Sequence, residues 1–183
     1  MPSMPVRSSF VLILLGVALL TIAIVVRSGL LARKDPGEPI NSAMRYALSQ
    51  ETPQLSTEDS LFVDKHFSTA SLRKSGLRFI THDPGHGDLI ATQGDTLSVN
   101  YVGKLLNGTV FDSTSAHGAP FEFRVGEGQV IKGWDEAFIG MKRGERRTLI
   151  LPYWLAYGAA GSPPTIPPKA TLIFEVELLD IRR

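Results

Sequence analysis

The sequence predicts an α+β domain: an antiparallel β-sheet packed on one short α-helix, preceded by an N-terminal transmembrane helix and a stalk. Three observations predict it. Residues 10–26 are apolar apart from Gly16 and Thr21 and carry no charge. From Leu77 onward the hydrophobic pattern has a period of two, which is the period of a strand with one buried face. A single stretch inside that region, from Trp134 to Met141, has the helical spacing instead.

Taken in order, the apolar run is the first element. About 17 residues at roughly 1.5 Å each reach about 25 Å, against a bilayer core of about 30 Å. Ser8 and Ser9 before it and residues 28–32 after it complete a crossing, with Arg7 and Arg27 placed to snorkel. A cleaved signal peptide is the rival reading, but Val26-Arg27-Ser28 makes a poor cleavage site because an arginine sits inside it. Residues 1–32 are therefore expected to be an anchor (or a signal peptide) and residues 33–74 a stalk. Asp35-Pro36-Gly37-Glu38-Pro39 breaks regular structure at the start of that stalk. Residues 42–50 suggest a short helix, and Ser56 with Asp59 is a partial capping signal ahead of Leu61, Phe62 and Val63.

Residues 75–183 are expected to be the domain. Leu97, Val99 and Tyr101 alternate with polar residues, as do Phe121, Phe123 and Val125. Leu172, Phe174, Val176 and Leu178 form a third such row. Gly94-Asp95 and Asn107-Gly108 are turn dipeptides between strands. In the helical stretch Trp134, Ala137, Phe138 and Met141 share a face, and Asp135 and Glu136 suit the N-terminal end of its dipole. His82-Asp83-Pro84-Gly85-His86-Gly87-Asp88 reads as a turn rather than a metal site. The basic cluster from Lys142 to Arg147 reads as a solvated turn and strand start.

Composition limits the function. The chain has 183 residues, with 19 Lys and Arg against 18 Asp and Glu, so it lacks the electrostatic footprint of a nucleic-acid binder. It contains no cysteine, which excludes disulfides, thiol nucleophiles and thiolate metal sites.

Four motifs carry the functional reading. Gly126-Glu127-Gly128-Gln129-Val130-Ile131-Lys132-Gly133-Trp134-Asp135 sets two aliphatic residues before a glycine and a tryptophan. Phe111-Asp112-Ser113 precedes it, and Leu155-Ala156-Tyr157-Gly158 and Ile166-Pro167-Pro168-Lys169-Ala170-Thr171-Leu172 follow. In this order and spacing, over about Leu77 to Ile181, the chain resembles the FKBP-type peptidyl-prolyl cis-trans isomerases.

The resemblance implies a strongly twisted antiparallel sheet wrapped around the helix and an enzyme that speeds cis/trans exchange of X-Pro bonds during protein folding. It implies no cofactor and no metal. Trp134 becomes the floor of a pocket, and Tyr101, Phe111, Phe121, Val130, Ile131 and Phe174 its walls. The Tyr157 hydroxyl and the Ile131 backbone N–H become donors to substrate carbonyls, Asp112 the carboxylate at the pocket edge, and Ile166 part of the rim. The expected partners are proline-containing polypeptides, macrolide ligands and, through the N-terminal helix, a membrane. On the same ground the domain is expected in the periplasm, although Arg27, Arg33 and Lys34 slightly favour a cytoplasmic side.

Without the resemblance the residues read differently. Tyr101, Phe121 and Phe174 are core aromatics on inward strand faces, Asp112 before Ser113-Thr114-Ser115 is a turn cap, and Tyr157 is a loop aromatic. A family domain that binds or chaperones without turnover is the alternative function. The chain also departs from the family pattern. His117 stands where some members have an arginine that pairs with the pocket aspartate, Gln129 replaces a glutamate, and Ser162 and Thr165 alter the rim loop. These changes bear on peptide preference and macrolide affinity.

Overall fold

Ser56 opens the first element of the folded region. Its hydroxyl oxygen accepts from the Asp59 N–H at 3.0 Å, capping helix α1, Thr57–His66. The computed structural model describes residues 53–183, and these form one compact unit. The expected anchor over 1–32, the apolar run at 10–26 and the short helix at 42–50 lie outside the described residues. Among the described residues no helix is long and apolar enough to cross a membrane.

Strands β1 (Ser71–Leu72), β2 (Arg78–Ile90) and β3 (Thr96–Leu105) follow, then β4 (Val110–Ser113). A one-turn helix α2, Thr114–His117, leads to β5, Phe121–Arg124. Helix α3, Lys132–Phe138, precedes β6, Lys142–Leu151. A 3-10 turn at Tyr153–Leu155 and a long loop then lead to β7, Leu172–Arg182. All pairings are antiparallel, in the order β1-β2-β6-β7-β3-β4, with β5 also on β3. One edge of β3 is thus shared: its first half pairs with β5 and its second half with β4.

The alternating rows fall as the sequence requires. Leu97, Val99, Phe123, Val125, Leu172, Phe174, Val176 and Leu178 are buried in one cluster with Trp134, Ala137, Phe138 and Met141 of the helical stretch. Helix α3 approaches the sheet closely because Gly133 has no side chain. A Cβ there would stand 2.7 Å from a Leu151 methyl. At the other end, the Arg147 guanidinium donates to the Ala137 carbonyl at 2.9 Å, satisfying one of the helix's terminal acceptors.

Three expectations need correction and a fourth is extended. The folded unit reaches upstream of residue 75. Val63 of α1 is fully buried, Asp59 accepts from the Thr171 hydroxyl at 2.6 Å, and Asp64 pairs with Arg78 at 2.6 Å. The end of the expected stalk is therefore part of the domain, and α3 is not its only helix. The segment from His82 to Asp88 is not a turn but the bulged middle of β2. Its pairing with β6 shifts register twice, which accommodates Pro84 and the left-handed Gly85. The basic cluster is not wholly solvated. Glu145 and Arg147 are buried as an ion pair at 2.6 Å, and Arg147 lies over the Phe79 ring at 4.9 Å. Finally, Asp135 does more than face the helix dipole. Its carboxylate accepts from the N–H groups of Gly126 and Gly128 and so ties down the loop before α3.

Candidate active site

An aromatic cluster sits where α3 meets β3, β4, β5 and β7. The Trp134 ring is met edge-to-face by Tyr101 at 5.1 Å, Phe174 at 5.3 Å and Phe121 at 6.1 Å. Phe111 stands perpendicular to Phe174 at 5.6 Å. Such contacts are the favoured geometry for aromatic rings. The register explains how two of these rings reach one place. Gly103 of β3 is paired with Phe174 on one side and neighbours Phe111 on the other. A Cβ at Gly103 would lie 2.6 Å from Phe111 Cζ and 3.0 Å from Phe174 Cε1. The two walls therefore lean into space that only glycine leaves.

The cluster encloses a cavity of about 450 Å³, within the ordinary range for small-molecule sites. It is lined by Tyr101, Phe111, Asp112, Phe121, Gln129, Val130, Ile131, Trp134, Tyr157 and Phe174. Trp134 is 4 % exposed and forms the floor, whereas Phe121 and Tyr157, each 41 % exposed, stand at the rim. Every residue expected at the site lines the cavity except Ile166. That side chain is buried in the core, because Ser162 and Ile166 exchange backbone hydrogen bonds at 2.9 Å and close the loop over it. Gln129 is the addition. It drew notice in the sequence only as a substitution, yet its side-chain oxygen accepts from the Arg124 N–H and holds the loop to the end of β5. A larger groove of about 1050 Å³ is lined by residues including Asn100, Val102, Pro120, Arg146, Thr148 and Glu175. It holds none of the walls just described apart from Tyr101.

The polar groups of the cavity fall into two kinds. Both oxygens of the Asp112 carboxylate are engaged. One oxygen accepts from the Tyr101 hydroxyl at 2.6 Å, and the other accepts from the Ser113 N–H at 2.8 Å and faces His117 Nε2 at 2.8 Å. Burial alone would raise its pKa, but these hydrogen bonds outweigh burial and bring it below the ordinary carboxylate value. The Tyr101 phenol is pushed far above its usual range, first by burial and then by its bond to Asp112. Tyr157 is raised too, by burial and by the Asp112 charge. Both phenols therefore stay protonated donors at any ordinary pH. Other groups remain unsatisfied. The Trp134 indole N–H is buried with no partner among the described residues, and the Ile131 N–H makes no hydrogen bond there either.

Residues 87–179 match the family model described as FKBP-type peptidyl-prolyl cis-trans isomerase. Among curated proteins the chain is similar to the peptidyl-prolyl cis-trans isomerase FKBP15-2 of Arabidopsis thaliana. That match is 57% identical and covers 50% of this chain and 56% of that protein, so it takes in little more than half of the relative's own length. It is also similar to the isomerase FKBP2 of Homo sapiens, 52% identical over 54% of this chain and 69% of the other. FK506-binding protein 1 of Rhizopus delemar is 47% identical and is covered over 98% of its length, by 58% of this chain. The crystal structure of AtFKBP13 superposes with a TM-score of 0.58 at 40% identity, covering 61% of this chain and 97% of that one.

Proposed function

The chain belongs to the FKBP-type peptidyl-prolyl cis-trans isomerases, and from that premise we propose that its aromatic cavity is where the prolyl bond turns. Tyr101, Phe111, Asp112, Ile131, Trp134, Tyr157 and Phe174 form the catalytic site, with Phe121 and Val130 as binding walls. The substrates are proline-containing polypeptides, and a macrolide such as the one named for the Rhizopus relative is a ligand of the same cavity.

Rotation about an amide faces a barrier of about 18–20 kcal/mol because the planar form is resonance-stabilised. No bond breaks, so the reaction needs no nucleophile. It needs a site that prefers the twisted amide to either planar form. The twisted amide separates less charge than the planar one, and a dry, apolar cavity favours it for that reason. In the proposed pose the proline ring rests on Trp134 between Phe111, Phe174 and Tyr101. The Ile131 N–H and the Tyr157 hydroxyl donate to the carbonyls on either side and fix them while the bond turns.

The observation that carries this reading is the state of Asp112. In a cavity walled, apart from Gln129, by aromatic and aliphatic residues, the single carboxylate is already engaged by Tyr101, Ser113 and His117. A carboxylate so held, with its pKa lowered, orients the wall and is a poor proton acceptor. The test is catalysed cis/trans exchange of an X-Pro peptide by Asp112→Leu. Partial retention of turnover with most macrolide affinity lost supports the reading, whereas loss of about 100-fold or more of the rate would make Asp112 a base.

We also propose that residues 1–32 tether the domain to a membrane facing the periplasm. The support is the uncharged apolar run in the sequence and the poor cleavage site after it. Recovery of the chain in the salt-washed membrane fraction with its N-terminus intact would agree, and recovery of a shortened soluble chain would refute it.

A further inference from the structure

Trp154 lies outside the cavity and belongs to none of the sequence motifs, yet it sits at a junction of the site's supports. It is the middle residue of the 3-10 turn Tyr153–Leu155, which leads directly to Tyr157. The Gly158 N–H donates to the Tyr153 carbonyl at 2.7 Å, so the turn and the Tyr157 segment are one hydrogen-bonded unit. The Trp154 indole N–H donates to the Ser75 carbonyl at 2.8 Å. Ser75 belongs to the tight turn between β1 and β2, closed by the Gly76 N–H on the Arg73 carbonyl at 3.0 Å. This turn is shaped to the tryptophan. Gly76 has a φ of +97°, and a Cβ there would lie 2.8 Å from Trp154 Cζ2. The same turn grips α3. The Ser75 hydroxyl donates to Glu136 Oε1 at 2.9 Å, and Arg73 donates to the Glu136 carbonyl at 2.9 Å. Glu136 lies two residues along α3 from the floor residue Trp134.

We propose that Trp154 is a positioning residue of the isomerase site, and that the turn at residues 73–76 is a strap holding the Tyr157 segment and helix α3 in mutual register. Tyr157 stands on a loop, half-exposed, and its phenol makes no hydrogen bond among the described residues. Nothing in its own side chain fixes it. Its placement comes from the backbone, which is held downstream by the Lys169 N–H on the Gly158 carbonyl and upstream by the buried Leu155 and the Trp154 tether. The inference rests on the proposed role of Tyr157 as a donor to substrate.

The test is a double-mutant cycle in the full chain. Trp154→Phe keeps the ring and removes the N–H donor. It is expected to lower kcat/KM for an X-Pro peptide by about 3- to 10-fold, the scale of one lost hydrogen bond. In a Tyr157→Phe background the same change is expected to cost little more, because both act through one hydroxyl. Ser75→Ala, which removes the strap's hydroxyl contact to Glu136 but leaves that of Arg73 and the carbonyl that holds the tryptophan, is expected to act in the same direction and more weakly. Hydrogen exchange of the peptide spanning residues 153–160 is read alongside and is expected to quicken in both variants. Undiminished activity and unchanged exchange in Trp154→Phe would overturn the proposal, as would full multiplicative losses in the double mutant. If exchange quickens while Tyr157→Phe itself is silent, the strap stands and the substrate role given to Tyr157 falls.

Discussion

At the scale of single residues, the two aromatic positions Phe111 and Trp134 separate site from core. Trp134 contacts Tyr101, Phe121, Phe123, Phe138 and Phe174 and is almost wholly buried. Truncation of such a residue costs about 3–5 kcal/mol, so Trp134→Ala is expected to lose both stability and activity. Phe111 is only partly buried at the wall. Phe111→Ala is therefore expected to lose turnover while melting well above Trp134→Ala, and equal melting temperatures would contradict the assignment. His117 bears on Asp112 from an exposed position. His117→Ala removes one of the three contacts on that carboxylate and is expected to weaken macrolide binding at fixed pH; unchanged affinity would show that His117 has no part in orienting Asp112.

At the scale of elements, the walls depend on how β3 meets its neighbours. Gly103→Ala would place a methyl against Phe111 and Phe174 at once. Overpacking of this kind costs about 1–3 kcal/mol. Here the atoms that must move are the site's own walls, so kcat/KM is expected to fall further than stability alone explains. An alanine variant with wild-type turnover would show that the walls need not touch. This dependence also explains what was legible in the sequence. The alternating rows around Leu97, Phe123 and Phe174 encode a buried face, and the spacing of Trp134, Ala137 and Phe138 encodes a helix on it. The motifs then placed the cavity walls. What was not legible depends on partners distant in sequence. Nothing near Arg147 indicates that Phe79 and the Ala137 carbonyl will enclose it, and Pro84 and Gly85 have the chemistry of a turn until β6 pairs across them. Ile166 lies in the core and not at the rim because its loop closes on Ser162, and Trp154 carries no signal of its own because its acceptor is the carbonyl of Ser75.

For the whole molecule, the upstream helix is the first thing to remove. A fragment of residues 75–183 lacks Val63, whose full burial is worth about 1.5–3 kcal/mol, and loses the contacts of Asp59 and Asp64. It is expected to fold but to melt roughly 5–10 °C below a fragment of residues 53–183; coincident melting curves would mean that α1 adds nothing. The pH dependence of stability has a definite sign at Asp112. Its folded pKa is lowered, so its contribution is present above the unfolded value of about 4 and is lost as pH falls through the lower folded value. The stability gap between wild type and Asp112→Asn is accordingly expected to narrow between pH 7 and pH 3, and a gap that widens would reverse the argument.

The central claim is that an aromatic-walled cavity, whose one carboxylate is engaged on both oxygens, turns the prolyl bond without moving a proton. It is tested most directly by exchange spectroscopy on an X-Pro peptide with the wild-type chain, from about pH 5.5 to 8. The predicted result is catalysed exchange whose rate is essentially level across that range, because Asp112 is ionised and Tyr101 and Tyr157 are protonated throughout. Exchange no faster than the free peptide, or a rate that follows the titration of a carboxylate, would contradict it.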